Sequence, residues 1–588
     1  MPTEVKQAKK SLYLCEPLLE FSNGKGWEKA TSELIKDLLQ ITIEESLHLP
    51  AMFTLVVHNS YLPASDKPDR QPQRHENIFE IGKKIRLGFA SSTTQDSNFG
   101  KEDKGFMIEG EITGIETHFN EKSEAPIIVR GYDISHRLHR GRHNRSFLNE
   151  TDTDIVKKIA EEVGIKKGRI DPSGEPHEYV FQENQTNMEF LRERAARIGF
   201  ELYVVGDTVN FCKPQKKDSI PLKWLVNISH FSTRITSAEQ VSAVEIRSWD
   251  YTQKKLITST ARAERVLTNV GNQRGSSVST EYNLNSKPPK MIVVDQPVST
   301  AKQAEAMAQA LCDELGGEYI YADAKAEGNP KIRPGRVVTL EGMGERFSGD
   351  YYVTETRHFY AQRIYSTEFS VRGLRAGNLL TTISPQVHLQ PGQTFLVGIV
   401  TNNKDPKGWG RVKVKFPTLT EEHSSHWARV VALGAANSRG FDCLPEVNDE
   451  VLVGFEHGDI HRPYIIGGVW NGKDAPPEKV DDSIQGGKVR LRTIKTRTGH
   501  TLQFVEEDKG GSKTGVRVQT TKGHKIYLND SEACIDIETK GGHKIKMDDQ
   551  GKAISLDSTG NLSIKAKGNI EIKANGTITV NGAMIYLN

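Results

Sequence analysis

Apolar and polar positions alternate most regularly towards the C-terminus. From Ala553 onward aliphatic pairs fall at Ile554/Leu556, Leu562/Ile564, Ile570/Ile572 and Ile578/Val580, each eight residues after the last, and Ile585 with Leu587 closes the series one residue early. Gly560, Gly568 and Gly576 keep the same period, two residues ahead of each pair. Apolar–polar–apolar alternation predicts a strand with one buried face. The glycine or Asn-Gly between units predicts a sharp corner that needs positive φ. Upstream, Thr498–Leu502, Thr521–Ile526 and Thr539–Ile545 each lead into a strand and an acidic or Asn turn, and no proline follows Pro477. An unbroken ladder needs every backbone N–H. One octad supplies one face, whereas a single-chain β-helix closes three faces with a coil of roughly twenty residues or more. Three chains, each giving one strand per layer, would close a prism around the aliphatic pairs. The octads therefore predict an intertwined homotrimer with Ile554, Leu556, Leu562, Ile564, Ile570, Ile572, Ile578 and Val580 in its core. About twelve strands ~4.8 Å apart would give a needle roughly 60 Å long.

Before the needle, Phe395–Val400, Arg411–Phe416, Trp427–Val431, Glu450–Phe455 and Pro463–Ile466 alternate as five short strands around the turn cluster Asn402–Gly408. Five strands in so short a span predict an OB-type barrel. Arg411, Lys413 and Lys415 offer a basic face, but with no interleaved aromatic ladder they do not make a nucleic-acid site. Residues 12–375 read as mixed α and β. Strands are predicted at Met52–His58, Ile81–Phe89, Gly105–Glu116 and Ile127–Tyr132. A helix capped by Thr153 carries Ile155, Ile159 and Val163 to a stop at Gly164. The capping box Thr186–Glu189 opens a second helix that ends at Gly199. A third runs near Thr300–Leu315, and residues 264–290 read as a loop. The basic run His136–Arg145 reads as a solvated or inter-subunit face rather than a phosphate site.

Composition narrows the class. At roughly 150 residues per domain, 588 residues suggest about four domains. Lys and Arg number 78 against 76 Asp and Glu, a net charge of +2 that argues for neither a nucleic-acid nor an anionic-membrane partner. Only 36% of residues are hydrophobic and mean hydropathy is −0.52, which favours an elongated or oligomeric shape over one compact globule. No apolar run approaches the ~20 residues of a membrane span, and Met1–Lys10 has no signal-peptide core. Leu12-Tyr-Leu-Cys15 is too short an apolar run for a lipoprotein site. The five cysteines are scattered and form no Cys/His cluster, so neither zinc nor a disulfide framework is expected. His500, His524 and His543 recur after glycine, and their uneven spacing suits corner residues better than metal ligands. No cofactor is expected.

The barrel motifs also carry a resemblance. Asp405-Pro-Lys-Gly-Trp-Gly-Arg-Val-Lys-Val414, Pro445–Phe455 and Gly458–Gly472 resemble the OB module of phage baseplate protein V and VgrG spike proteins. Gly131–Arg142, Phe181–Phe200, Val244–Asp250, Arg333–Val338, Phe347–Tyr352 and His358 resemble the hub of phage late-control protein D and VgrG. The resemblance implies a mainly β chain with an α/β hub at 1–380, an OB-fold barrel at 381–477 and an intertwined three-chain β-helix needle at 478–588. It further implies a trimeric hub that plugs a hexameric inner tube protein within a baseplate. The needle end (Thr577, Ile578, Val580, Met584, Ile585 and Leu587) would dock a PAAR-type tip protein, which sometimes carries an effector cargo.

No GxSxG, HExxH, P-loop or paired-carboxylate signature is present. The gap from Gly472 to Lys488 is too short for an inserted enzyme domain, and the chain ends on the repeat, where some relatives append a toxin. The expected function is structural: a trimeric spike-hub at the tip of a contractile injection system, coupling tube to membrane-piercing needle. It would be made in the cytoplasm and built into a phage tail-like particle delivered or released outside the cell, with an extracellular injection particle favoured as the parent machine. The alternative is a β-helical tailspike that binds or cleaves polysaccharide, against which the scarcity of aromatics in the needle counts.

Overall fold

The computed structural model describes residues 15–60, 75, 77–92, 102–121, 124–216, 219–271, 273–282, 288–373 and 391–586. The chain is mainly β and divides into two compact units, residues 1–469 and 470–588. The expected boundary at residues 380 and 381, the run Met1–Lys10, the segment Leu12–Leu14 and Leu587 lie outside the described residues.

The first unit is organised by an eleven-stranded sheet. Strands from the N-terminal stretch, among them Cys15–Ser22, Leu38–Ser46, Met52–Val57 and Ile127–Asp133, join strands from the far end, Ile320–Glu327, Glu355–Ala361 and Ile364–Val371. The seam is the antiparallel pair Leu38–Ser46 with Glu355–Ala361, in which His358 faces Ile43. Alternation explains the pairing: Phe53, Leu55 and Val57 are fully buried while the residues between them are half-exposed.

Two helices and small sheets fill residues 134–212. Helix Asp152–Glu162 is capped by Thr151, not Thr153. A capping box needs an acid three residues on; Asp154 stands there for Thr151, and Thr153 instead donates its hydroxyl to the Asp171 carbonyl at 2.8 Å. Helix Asn187–Arg197 has the expected Thr186–Glu189 box, and Gly199 follows in the left-handed region at φ +68°. The third helix, Ala301–Gly317, runs on through both glycines. Gly316 lets the buried Glu264 side chain cross it, since a Cβ there would lie 2.4 Å from Glu264 Cβ. The expected loop at 264–290 contains a short strand, Asn269–Val270, and the helix Gly275–Ser279; residues 272 and 283–287 lie outside the described residues. The run His136–Arg145 is neither simply solvated nor open to phosphate. His136 and Arg137 both bond Glu111, Arg142 donates to Asn184 O at 2.6 Å, and Arg145 donates to Gln182 and Asn187 at 2.9 Å.

The five strands expected of an OB barrel are present in residues 396–468. The hydrogen-bonded order is Lys413–Lys415, Leu396–Asn402, Glu450–Phe455, Pro463–Gly468, Arg429–Val430. The Val412–Ala428 bridge joins the two ends, so the strands close in the order 1-2-3-5-4-1 of an OB fold. Val400, Val412, Val414, Val451, Val453 and Ile465 fill the interior. The barrel touches the preceding part of the first unit through Arg247 Nη1 donating to Leu419 O at 3.0 Å and Lys254 Nζ donating to Asn448 O at 2.6 Å.

Two buried titratable groups set opposite pH limits on the first unit. His358 is fully buried; its Nε2–H donates to Ile332 O at 3.0 Å and its Nδ1 accepts from the Tyr365 hydroxyl at 2.8 Å. Burial, with the Arg333 charge, pushes its pKa from 6.5 down to about 3. The unfolded chain takes this proton below 6.5 and the fold does not, so the contribution is present above pH 6.5 and falls as pH drops, by about 1.4 kcal/mol per pH unit. Glu201 receives the Tyr352 hydroxyl at 2.7 Å, and burial pushes its pKa from 4.5 up to about 7. Its contribution is present below 4.5 and is lost as pH rises to about 7. Between pH 4.5 and 6.5 the two slopes oppose and cancel, so thermal unfolding followed against pH should be flat there and fall off below 4.5. His358→Gln should leave stability falling with rising pH across that window, and Glu201→Gln should leave it rising.

Candidate functional site

The second unit is a seven-stranded antiparallel meander in sequence order: Leu491–Lys495, Thr501–Val505, Gly515–Gln519, Lys525–Asn529, Cys534–Glu538, Lys544–Asp548 and Ala553–Asp557. Every strand has five residues. Side chains alternate across a sheet, so the second and fourth positions share one face. Two columns result. Phe504, Val516, Leu528, Ile535, Met547 and Ile554 are successive cross-strand partners, as are Ile494, Leu502, Val518, Ile526, Ile537, Ile545 and Leu556. The central column of the opposite face is polar: Thr493, Gln503, Arg517, Tyr527, Asp536, Lys546 and Ser555.

The register is held by one repeated turn. Thr496 N donates to His500 O, Thr520 N to His524 O and Thr539 N to His543 O, at 2.9 to 3.0 Å, and each histidine N–H returns to the threonine hydroxyl. The glycine before each histidine, Gly499, Gly523 and Gly542, has φ between +86° and +97°. The turns stack: Thr521 Oγ1 donates to Thr498 O at 2.6 Å, and Thr559 Oγ1 to Gly541 O at 3.0 Å. These histidines are corner residues with local hydrogen bonds. Among the described residues no group of His, Cys, Asp and Glu is placed to hold a metal ion.

A strap covers the polar face. Glu478 accepts from Thr493 Oγ1 and Gln503 Nε2, each at 2.8 Å, and the buried Arg490 ties Asp482 O to Glu507 O at 3.1 and 2.8 Å. Among the described residues the apolar face has no such cover. Ile494 is 51% exposed, Ile526 44%, Leu528 42% and Met547 41%. Folded single chains rarely leave a contiguous apolar surface of more than a few hundred Å² in water.

Residues 558–586 contain no strand or helix within the chain. Of the residues expected in a trimer core, Ile554 and Leu556 sit in the last strand of the meander, and Leu562, Ile564, Ile570, Ile572, Ile578 and Val580 follow in the unpaired segment. All are exposed, from 49% at Leu556 to 77% at Ile554. Of the expected tip residues, Thr577, Ile578, Val580, Met584 and Ile585 are likewise exposed and Leu587 lies outside the described residues. Sequence reasoning missed most of the two upstream columns. Their signal, apolar residues at the second and fourth strand positions, was present but masked by turns of unequal length.

The barrel's basic face differs from its reading in the sequence. Aromatics do interleave with the cations: Lys407 and Arg411 lie 4.7 and 4.8 Å from the Trp409 ring, Arg411 and Lys413 5.8 and 5.3 Å from Trp427. Trp427 is brought there by the Val412–Ala428 bridge. These rings are occupied by the chain's own cations. Arg411 is in turn paired with Asp405 at 2.7 Å, which with backbone N–H donors holds that carboxyl well below the usual range.

Residues 396–470 match the family described as the Type VI secretion system/phage-baseplate injector OB domain, and residues 82–362 match the Alg8 N-terminal domain. The type VI spike protein VgrG3 of Vibrio cholerae serotype O1 is 22% identical over 418 residues, covering 64% of this chain and 38% of that protein. The actin cross-linking toxin VgrG1 of V. cholerae is 25% identical over 414 residues, covering 63% of this chain and 35% of that protein. The chain thus spans little more than a third of either relative's length. Among solved structures, the 43 kDa tail protein of prophage MuSo2 from Shewanella oneidensis aligns over 61% of this chain and 98% of its own, at 17% identity and a TM-score of 0.44. The barrel is thus an OB fold that matches the injector OB domain. The chain that carries it is VgrG-like over about two thirds of its length.

If the two columns form an assembly face, Ile526→Asp and Ile564→Asp should abolish the oligomer although both side chains are exposed in one chain. A buried unpaired carboxylate costs several kcal/mol or is forced to protonate. Arg517→Ser, on the polar face, should leave the assembly intact. Light scattering of the three variants separates the outcomes; a solvated face would tolerate all three.

Proposed function

We propose that this protein is the trimeric spike-hub of a contractile injection system. Residues 1–380 form the hub that docks an inner tube, residues 381–477 the OB barrel that braces the junction, and residues 478–588 a β-helical needle driven into a target envelope. The observation that carries this reading is the uncovered two-column apolar face of the second unit, continued by octads whose aliphatic pairs stay exposed in one chain. Three copies facing one another would bury both. The injector OB domain at 396–470 and the similarity to VgrG spike proteins support the same reading. Its work is mechanical, done as part of a tail-like particle outside the producing cell, and its partners are the tube, the baseplate and a cone-shaped tip protein seated on Thr577–Ile585.

The native protein should scatter light as three times 65.6 kDa. A chain truncated after Gly576 should still trimerise, because the earlier octads close the prism, but should no longer bind the tip protein. Unchanged binding would place the docking site elsewhere, and a folded monomer would overturn the reading altogether. Purified trimer should show no turnover of peptidoglycan, polysaccharide or nucleic acid; turnover lost on a single Asp or Glu substitution would make the chain an enzyme.

A further inference from the structure

Residues 431–444 of the OB module follow the strand Arg429–Val430, and every one of them is exposed. They are nonetheless shaped. Ala436 and Arg439 form a bridge, and Phe441 N donates to Leu433 O at 3.0 Å. The foot is pinned to the barrel: Val431 N donates to Ile465 O at 2.9 Å, and Asn403 Nδ2 to Pro445 O at 3.2 Å. The segment is thus an ordered hairpin arm standing off its own barrel. An isolated two-stranded hairpin is marginal at best in water, and connections longer than about 12–15 residues are usually functional or disordered. The arm carries apolar side chains into solvent, with Leu433 79% and Phe441 51% exposed. Its charges, Arg439 and Asp442, cancel, which fits an apolar protein surface rather than a polyanion.

We infer that the arm is a clasp between copies of this chain: the Leu433–Phe441 end of each arm docks on the OB module of the next copy and closes a ring of three. The inference rests on the trimeric reading above. Two observations select a second copy over a foreign protein. The last barrel strand, Pro463–Gly468, ends two residues before Trp470, where the second unit begins. Joining three second units therefore tethers three barrels through short links, at an effective concentration on the order of millimolar. The barrel also carries a matching receptor. Phe395 and Ile466 close over the buried Gly454, each 3.2 Å from where its Cβ would stand, and remain 65% and 44% exposed. The result is an apolar patch that the chain's own arm leaves uncovered. A donor arm and a receptor patch on every copy make a head-to-tail contact, which closes into a ring when the rotation permits.

The native protein carries its own probe. Cys443 in the arm is exposed, whereas Cys15, Cys212, Cys312 and Cys534 are buried. A thiol-reactive dye on the full-length trimer should label Cys443 at least about tenfold more slowly than on the Leu433→Ser/Phe441→Ser variant, because labelling requires access to the thiolate. That variant should keep the trimer mass, its second unit being untouched. Ile466→Asp, on the receptor, should release the protection equally. Labelling of the wild-type trimer as fast as the double variant would show a free arm and overturn the clasp. Protection that survives Ile466→Asp would overturn the Phe395–Ile466 patch as its receptor. A wild-type monomer by light scattering is a separate result; it would overturn the trimeric reading, and the clasp with it.

Discussion

A sheet of five-residue strands with one apolar face cannot be buried by its own chain when nothing in that chain packs against it. The strap from Glu478 to Ser483 lies on the polar face, through the Glu478 carboxylate and the Arg490 guanidinium. The columns from Ile494 to Leu556 are left open. Fully burying one aliphatic side chain is worth about 1.5–3 kcal/mol. Two columns would then contribute on the order of tens of kcal/mol between chains, more than the whole stability of a typical domain. In the spike-hub reading the needle's rigidity belongs to the assembly and hardly at all to the single chain.

Link length marks where the chain stops pairing with itself. Across the meander the steps from the fourth position of one strand to the second of the next run from seven residues, Leu528 to Ile535 and Met547 to Ile554, to twelve, Phe504 to Val516. Eight-residue steps cross the Thr…Gly-His turns, as from Val518 to Ile526. From Leu556 to Leu562, Ile564 to Ile570 and Ile572 to Ile578 the link shortens to six residues, and from Val580 to Ile585 to five. The in-chain ladder ends at that change, with Asp557. The turns that close the hairpins run from four residues, as between Asn529 and Cys534, to nine, between Val505 and Gly515, and none of them fits the shorter link between five-residue strands. In the spike-hub reading, the segment beyond it pairs with other chains.

Where local chemistry decides structure, the residues announced it. The Thr186–Glu189 box, the alternation in Met52–Val57 and the five barrel strands are set by neighbours within a few positions, and the sequence predicts each. The aliphatic octads were equally plain because glycine repeats at a fixed period. Features created by distant pairing were not legible. Trp427 reaches Arg411 only through the barrel-closing Val412–Ala428 bridge. Arg137 takes its carboxylate partner, Glu111, from a strand more than twenty residues away, and Arg145 reaches Asn187 only once the helix at Asn187 has packed. The upstream columns fall between. Their strand positions are regular, but insertions such as Glu506–Thr514 break the period that would reveal them.

The order of the two needle segments has a consequence for assembly. The meander is built from hairpins with local contacts, which form fast and within one chain. In the spike-hub reading the octads form only after three chains meet, at the cost of bringing distant strands together. Placing the meander between the barrel and the octads lets each chain build a complete wall before it needs a partner. Three such walls, joined by their apolar faces, would align the three octad segments in register at Asp557. A chain with the octads first would have to find that register with no preformed surface, exposing unpaired aliphatic strands to aggregation meanwhile. In that reading the sequence order of the two repeats separates a folding problem the single chain can solve from one that needs three copies.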